Sequence, residues 1–277
     1  MGKRILSTVL LWLLVFGVMW QFGNTGAVVL VGLVSVLTLR EFYALLAGAG
    51  HAPFRRLGMA FGALVTLSPW LYQHIGIPKS SDALVLAVIV FSIRILSERE
   101  PLKRVEALAA TIFGLVYVAL MLQYFVRILT PLPNDVITPN GRLLLCLWLV
   151  AVAKFCDCGA LLAGLAWGRH QMAPQISPKK TWEGAIGGVL LAMGVGALVA
   201  WLGRGQLPPH LTPLVAAFIA APIALVAIVS DLIESIIKRH AALKDSGVAI
   251  PGIGGIFDLS DSLILTAPLG YFLFALP

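Results

Sequence analysis

The sequence predicts an all-α fold: a polytopic integral membrane protein with about nine transmembrane helices and a polar cavity facing the cytoplasm. Three observations predict it. Hydrophobic residues fill 59% of the 277 positions and charged residues only 12%. The mean hydropathy is +0.94. Apolar runs close to the roughly 20 residues needed to cross a bilayer recur along the whole length, with only short polar breaks. No soluble domain fits between them, so residues 1–277 read as a single membrane domain.

In order, the expected spans are 5–22, 26–47, 58–76, 83–97, 106–128, 143–167, 184–202, 213–236 and 261–276. The first, in MGKRILSTVLLWLLVF, imitates a secretory signal, with two basic residues before an apolar core; its apolar run is longer than a signal core requires, so it is expected to be retained. The fourth and ninth are the shortest. The sixth holds Cys146, Cys156 and Cys158, which are odd in number, lack zinc-finger spacing and read as small helix residues. The seventh carries Gly184, Gly188, Gly194 and Gly196, which permit close helix approach.

The net charge of +7 has a topological explanation. With the N-terminus in the cytoplasm, one side collects Lys3, Arg4, Arg55, Arg56, Arg99, Lys103, Arg104, Arg169, Lys179, Lys180, Lys238, Arg239 and Lys244, whereas the opposite loops hold Lys79 and Arg204. Such a bias is what the positive-inside rule requires, and it leaves nothing for nucleic acid to explain.

Two polar islands fall on that cytoplasmic side. GRHQMAPQISPKKTWEG, residues 168–184, contains Pro174 and Pro178, which interrupt any helix, then Thr181 and Glu183 at the approach to a new one. Lys179 and Lys180 thus precede a helix N-terminus, where outward backbone N–H groups favour phosphate; two lysines at a membrane edge would equally obey the topology rule. The second island is SDLIESIIKRHAALKDSGVAIPGIGGIFDLSD, residues 230–261, with eight charged residues among 32. Asp231, Glu234, Ser235 and Lys238 follow at i, i+3, i+4 and i+7, one stripe of a helix. Carboxylates inside a span are costly and are expected to be paired, hydrated or metal-bound. A Glu234–Lys238 ion pair at i, i+4 would leave Asp231 unexplained.

The oily segment GVAIPGIGGIFD that follows reads as a loop pressed against the membrane or dipping into it. Gly252, Gly254 and Gly255 could bring bare N–H groups to phosphate oxygens, and Asp258 and Asp261 recur at i, i+3 as the last span begins. If the glycine loop folds inward, the carboxylates of Asp231 and Asp258 meet. A paired-Asp site with no Cys and only His240 nearby favours a hard ion held by oxygens, Mg²⁺ before Zn²⁺. Together these features suggest phosphoryl or nucleotidyl chemistry at a lipid surface.

Ser235, Lys238, Arg239, Lys244, Asp245, Gly247, Ile250, Pro251, Gly254, Gly255, Asp258 and Asp261 resemble the signature of the phosphatidate cytidylyltransferases, or CDP-diacylglycerol synthases. SPKKTWEG, residues 177–184, resembles a second motif of that family, and Asp157 with Gly159 its Asp-x-Gly element. The pattern departs at Ile253, where the family has His, at Leu259, where Arg is usual, and at Ser230, commonly Gly. The resemblance implies transfer of CMP from CTP to phosphatidic acid at the inner leaflet of a bacterial cytoplasmic membrane. It implies spans in 1–142 and catalytic helices and cytoplasmic loops in 143–277. Asp231, Asp258 and Asp261 would hold Mg²⁺, with a second cation beside it, and Asp231, Asp258, Lys244 and Asp245 would carry catalysis. Ser177, Lys179, Lys180, Thr181, Glu183, Ser235, Lys238, Arg239, Gly254 and Gly255 would bind substrate. CTP, phosphatidic acid and membrane lipid are the expected partners, with a homodimer the one protein assembly considered and no nucleic acid. A CTP-dependent lipid-alcohol kinase, or a non-catalytic lipid binder or transporter, are the alternatives.

Overall fold

A computed structural model describes residues 2–76, 79–96, 101–131, 137–243, 246–247 and 254–274. Most of them are helical: α1 (Gly2–Gly48), α2 (Arg55–Ile75), α3 (Ser80–Ile95), α4 (Pro101–Gly114), a π-helical turn (Leu115–Leu120), α5 (Met121–Leu129), α6 (Pro139–Trp167), α7 (Trp182–Leu202), α8 (Pro213–His240) and α9 (Ile256–Phe274). Among the described residues, six stretches are long and apolar enough to cross a membrane: Trp12–Gly48, Arg104–Leu129, Pro139–Trp167, Trp182–Leu202, Pro213–His240 and Ile256–Phe274. The chain is therefore an all-α polytopic membrane protein.

The expected spans 5–22 and 26–47 both fall within α1, and the one non-helical residue inside it, Gly23 (φ 56°, ψ −138°), lies in the gap between them. A left-handed φ of that kind suits glycine, which has no Cβ to clash. The expected span 83–97 corresponds to α3, which has 16 residues, starts three residues earlier and is not among the stretches long enough to cross a membrane. The first polar island, expected as a loop, instead forms an antiparallel hairpin, β1 (Gln171–Ala173) paired with β2 (Ser177–Thr181). Its two prolines are compatible with strands this short, since Pro174 lies in the turn and Pro178 near the start of β2.

The chain groups into two compact units, residues 1–130 with 237–260, and residues 131–236 with 261–277. In the first, Phe42 packs against Phe113, Tyr117 and Phe257. Tyr43, fully buried, donates its hydroxyl to the Thr111 carbonyl at 2.9 Å. Small hydroxyls bridge helices: Ser35 meets Thr66 at 2.7 Å and Thr38 meets Ser260 at 2.8 Å.

In the second unit, α6 and α7 approach at backbone distance. A Cβ added at Gly188 would lie 2.7 Å from the Cys156 carbonyl oxygen, and one at Gly184 would lie 2.7 Å from that of Ala160. Trp148 fills the neighbouring space and donates its indole N–H to the Gly196 carbonyl at 2.8 Å. Gly194 differs, with nothing within 4 Å of its Cβ position, so the packing reading holds for Gly184, Gly188 and Gly196 but not for Gly194. Substituting Gly188 by Leu is expected to lower stability by about 1–3 kcal/mol through overpacking, whereas Gly194→Leu leaves it unchanged. Thermal unfolding in detergent, followed by near-UV circular dichroism, reads the difference.

Candidate active site

The α6–α7 contact fixes the hairpin and what it carries. Thr181 is the N-cap of α7 and accepts from the Gly184 N–H at 3.1 Å, a cap geometry that satisfies one of the helix's orphan donors. Glu183, in the first turn, accepts from the N–H groups of Arg169 and His170, each at 3.2 Å, and meets the His170 ring at 2.5 Å. That carboxylate ties the entry of the hairpin to the helix behind it. Ser177 opens β2, and Lys179 and Lys180 follow immediately before α7.

Lys180 is turned to a carboxylate: its ammonium lies 2.6 Å from Asp231 on α8. Asp157, Met172, Lys179, Lys180, Thr181 and Asp231 all line one cavity of about 230 Å³. Asp231 also belongs to a cluster with Glu234 and Asp261, in which one oxygen from each carboxylate lies within 4.8 Å of the others. Glu234 is 2% and Asp261 8% exposed. So many negative charges this close and this dry require positive partners. Lys180 supplies one, and Lys154 of α6 supplies another: its ammonium donates to Ser262 Oγ at 2.7 Å and lies 3.5 Å from Asp261 and 3.6 Å from Asp157. Ser230, at a position where the resembled family commonly has glycine, is fully buried and donates its hydroxyl to the Asp261 carbonyl. Three carboxylates presenting hard oxygen donors fit a divalent cation of the Mg²⁺ kind.

Asp258 belongs to the other unit and has partners of its own. Lys238 Nζ donates to it at 3.1 Å, Ser246 N–H at 3.2 Å and Gly255 N–H at 2.8 Å. Gly255 precedes the first residue of α9, so Asp258 reaches back to the helix start as the acidic member of a capping box does. The Gly255 N–H, expected to face phosphate, therefore donates to Asp258. Gly254 has φ +122° and a Cβ there would meet Asp258 Oδ2, which accounts for glycine at that position. On α8, Ser235 is half-buried and Arg239 exposed. Lys244, Asp245, Gly252 and Ile253 lie outside the described residues.

Side chains outside the sequence-based candidates take part as well, Lys154 among them. Glu234 takes part in the carboxylate cluster, and its place on the Asp231 stripe is the signal that finds it. Glu41 of α1 accepts from Ser246 Oγ at 3.0 Å and from the Phe257 N–H at 2.8 Å; an acidic residue inside a long apolar helix is its signal.

A phosphatidate cytidylyltransferase of Synechocystis sp. is 29% identical over 98% of this chain and 95% of its own length. One from Thermotoga maritima is 31% identical, covering 88% of this chain and 87% of itself. The chloroplastic phosphatidate cytidylyltransferase 5 of Arabidopsis thaliana is 32% identical over 85% of this chain and 62% of its own length. The Cytidylyltransferase family matches residues 2–276, nearly the whole sequence, and the chain belongs to that family.

Proposed function

We propose that the protein transfers the cytidylyl group of CTP to phosphatidic acid, forming CDP-diacylglycerol. A phosphate oxygen of the lipid attacks the α-phosphorus of CTP, the α–β anhydride bond breaks, and pyrophosphate leaves with the electron pair. The observation that carries this reading is the Lys180–Asp231 pair on the wall of a cavity, with Asp231 shared by the cluster of Glu234 and Asp261. The nucleophile is already an anion, so the chain needs no covalent one. Its work is to align two phosphates for in-line attack and to offset their charge, usually the largest catalytic contribution at such sites.

Asp231, Glu234 and Asp261 would hold Mg²⁺, which supplies charge neutralisation at the reacting phosphates. Lys180 and Lys179 would hold phosphate oxygens of CTP, and Thr181 would fix the turn that presents them. Lys154, between Asp157 and Asp261, stands as a tethered cation within the cluster. A cytoplasmic active site, in a bacterial inner membrane crossed about nine times, is supported by the skew of Lys and Arg to one set of loops.

CTP labelled at the α-phosphate tests the reaction against lipid-alcohol phosphorylation and against mere binding. Purified protein with phosphatidic acid in detergent micelles is expected to place α-label in lipid only when Mg²⁺ is present. Lipid label from the γ-phosphate alone, or none from either, would overturn the reading.

A further inference from the structure

Glu41 is the strongest polar contact that the proposed chemistry leaves unused. It lies on α1, more than 200 residues from the segment it touches. One oxygen, Oε2, accepts from both Ser246 Oγ and the Phe257 N–H. Its neighbour Phe42 stacks edge-on with the Phe257 ring at 5.6 Å, and both rings are fully buried. Two glycines clear the space around the carboxylate. A Cβ at Gly247 would lie 2.9 Å from Glu41 Oε1, and one at Gly255 would run into both Glu41 Oε2 and Ser246 Oγ. The placement is also favourable electrostatically, because Phe257 is in the first turn of α9, where N–H groups are unsatisfied and the helix dipole favours a negative charge.

Ser246 joins this contact to Asp258. Its hydroxyl donates to Glu41 while its N–H donates to Asp258. Asp258 in turn accepts from the Gly255 N–H and from Lys238. Two carboxylates from different helices therefore grip one short backbone stretch, Glu41 from outside through Ser246 and Phe257, Asp258 from within.

We infer that Glu41 is a positioning residue: it fixes the start of α9 and Ser246, and through them the orientation of the Asp258 carboxylate and of Lys238, which the family resemblance assigns to metal and substrate. Its kinetic consequence rests on the cytidylyl-transfer reading; its structural consequence does not.

The test uses the full chain in detergent and two readouts, hydrogen exchange of peptides covering 254–258 and steady-state kinetics with varied Mg·CTP. Glu41→Ala is expected to accelerate exchange at least tenfold and to raise the KM for Mg·CTP at least fivefold, with kcat within threefold of the parent. Glu41→Gln keeps a carbonyl oxygen that accepts the same two bonds and is expected to restore both values to within threefold. Gly255→Ala, with Glu41 intact, pushes the same contact apart and is expected to match Glu41→Ala. The double variant should then be no worse than the more damaged single one, since both substitutions break one contact. Parental exchange rates in Glu41→Ala, failure of the Gln variant to restore them, or additive damage in the double variant would each overturn the inference. If Glu41→Ala does not insert, Gly255→Ala and Ser246→Ala decide by the same exchange readout. If the parent places no α-label in lipid, the function fails while the exchange result still judges Glu41.

Discussion

Asp231→Asn is expected to reduce Mg²⁺-dependent turnover by at least ~10³-fold, about 4 kcal/mol of transition-state stabilisation, without loss of folded protein. Asp231, Glu234 and Asp261 bring their oxygens within 4.8 Å of one another, and two of the three are buried, so in the absence of a cation the cluster repels itself. Lys180 and Lys154 offset part of that repulsion. Replacing one carboxylate by its isosteric amide removes a negative charge and keeps the shape, so the melting temperature without Mg²⁺ should be unchanged or higher. The stabilisation that Mg²⁺ adds, worth about 2.7 kcal/mol at a hundred times its dissociation constant, should vanish. Site residues commonly trade stability for activity in this way. Turnover within tenfold of the parent, or an undiminished rise in melting temperature with Mg²⁺, would remove Asp231 from the metal site.

How much of this could be read beforehand depends on the distance over which each signal acts. Hydropathy marks the membrane helices because burial in lipid demands apolar residues locally. The stripe Asp231, Glu234, Ser235, Lys238 is legible for the same reason, since α8 imposes its period on neighbours in sequence. Even the break at Gly23 coincides with a dip between apolar runs. The hairpin is not legible, because β1 has three residues and its partner strand contains a proline, so neither shows an alternating pattern. Glu41 is illegible as a partner of Ser246 and Phe257, for no local rule links residues so far apart. Glu234 illustrates an intermediate case: its i, i+4 relation to Lys238 is legible from the helix period, whereas the bond from Lys238 to Asp258 and the place of Glu234 beside Asp231 and Asp261 are not. A helix period specifies which residues share a face, while tertiary packing chooses among the partners that face offers.

The adjacent lysines show how far that choice matters, and they are expected to separate sharply in function. Lys179 and Lys180 are equivalent in sequence, both basic and both just before α7. In β2, however, successive side chains leave the strand on opposite sides. Lys180 is half-buried and pairs with Asp231 at 2.6 Å; Lys179 lines the same cavity but is exposed. Charge in a partly dehydrated setting acts more strongly than charge facing water, so Lys180→Met should lower kcat/KM for CTP by about 10²–10³-fold, the range found for loss of one oriented donor to a transition-state anion. Lys179→Met should cost less than about tenfold. The two roles of Lys180 also predict an uncommon combination. Because its ammonium occupies one side of Asp231, removing it frees that carboxylate for a cation, and the Mg²⁺ concentration giving half-maximal rate should fall about threefold even as turnover collapses. Equal losses in the two lysine variants would mean that both act only as a diffuse positive field. A rise in the Mg²⁺ requirement of Lys180→Met would mean that the lysine holds Asp231 in place for the ion, and that it does not compete with it.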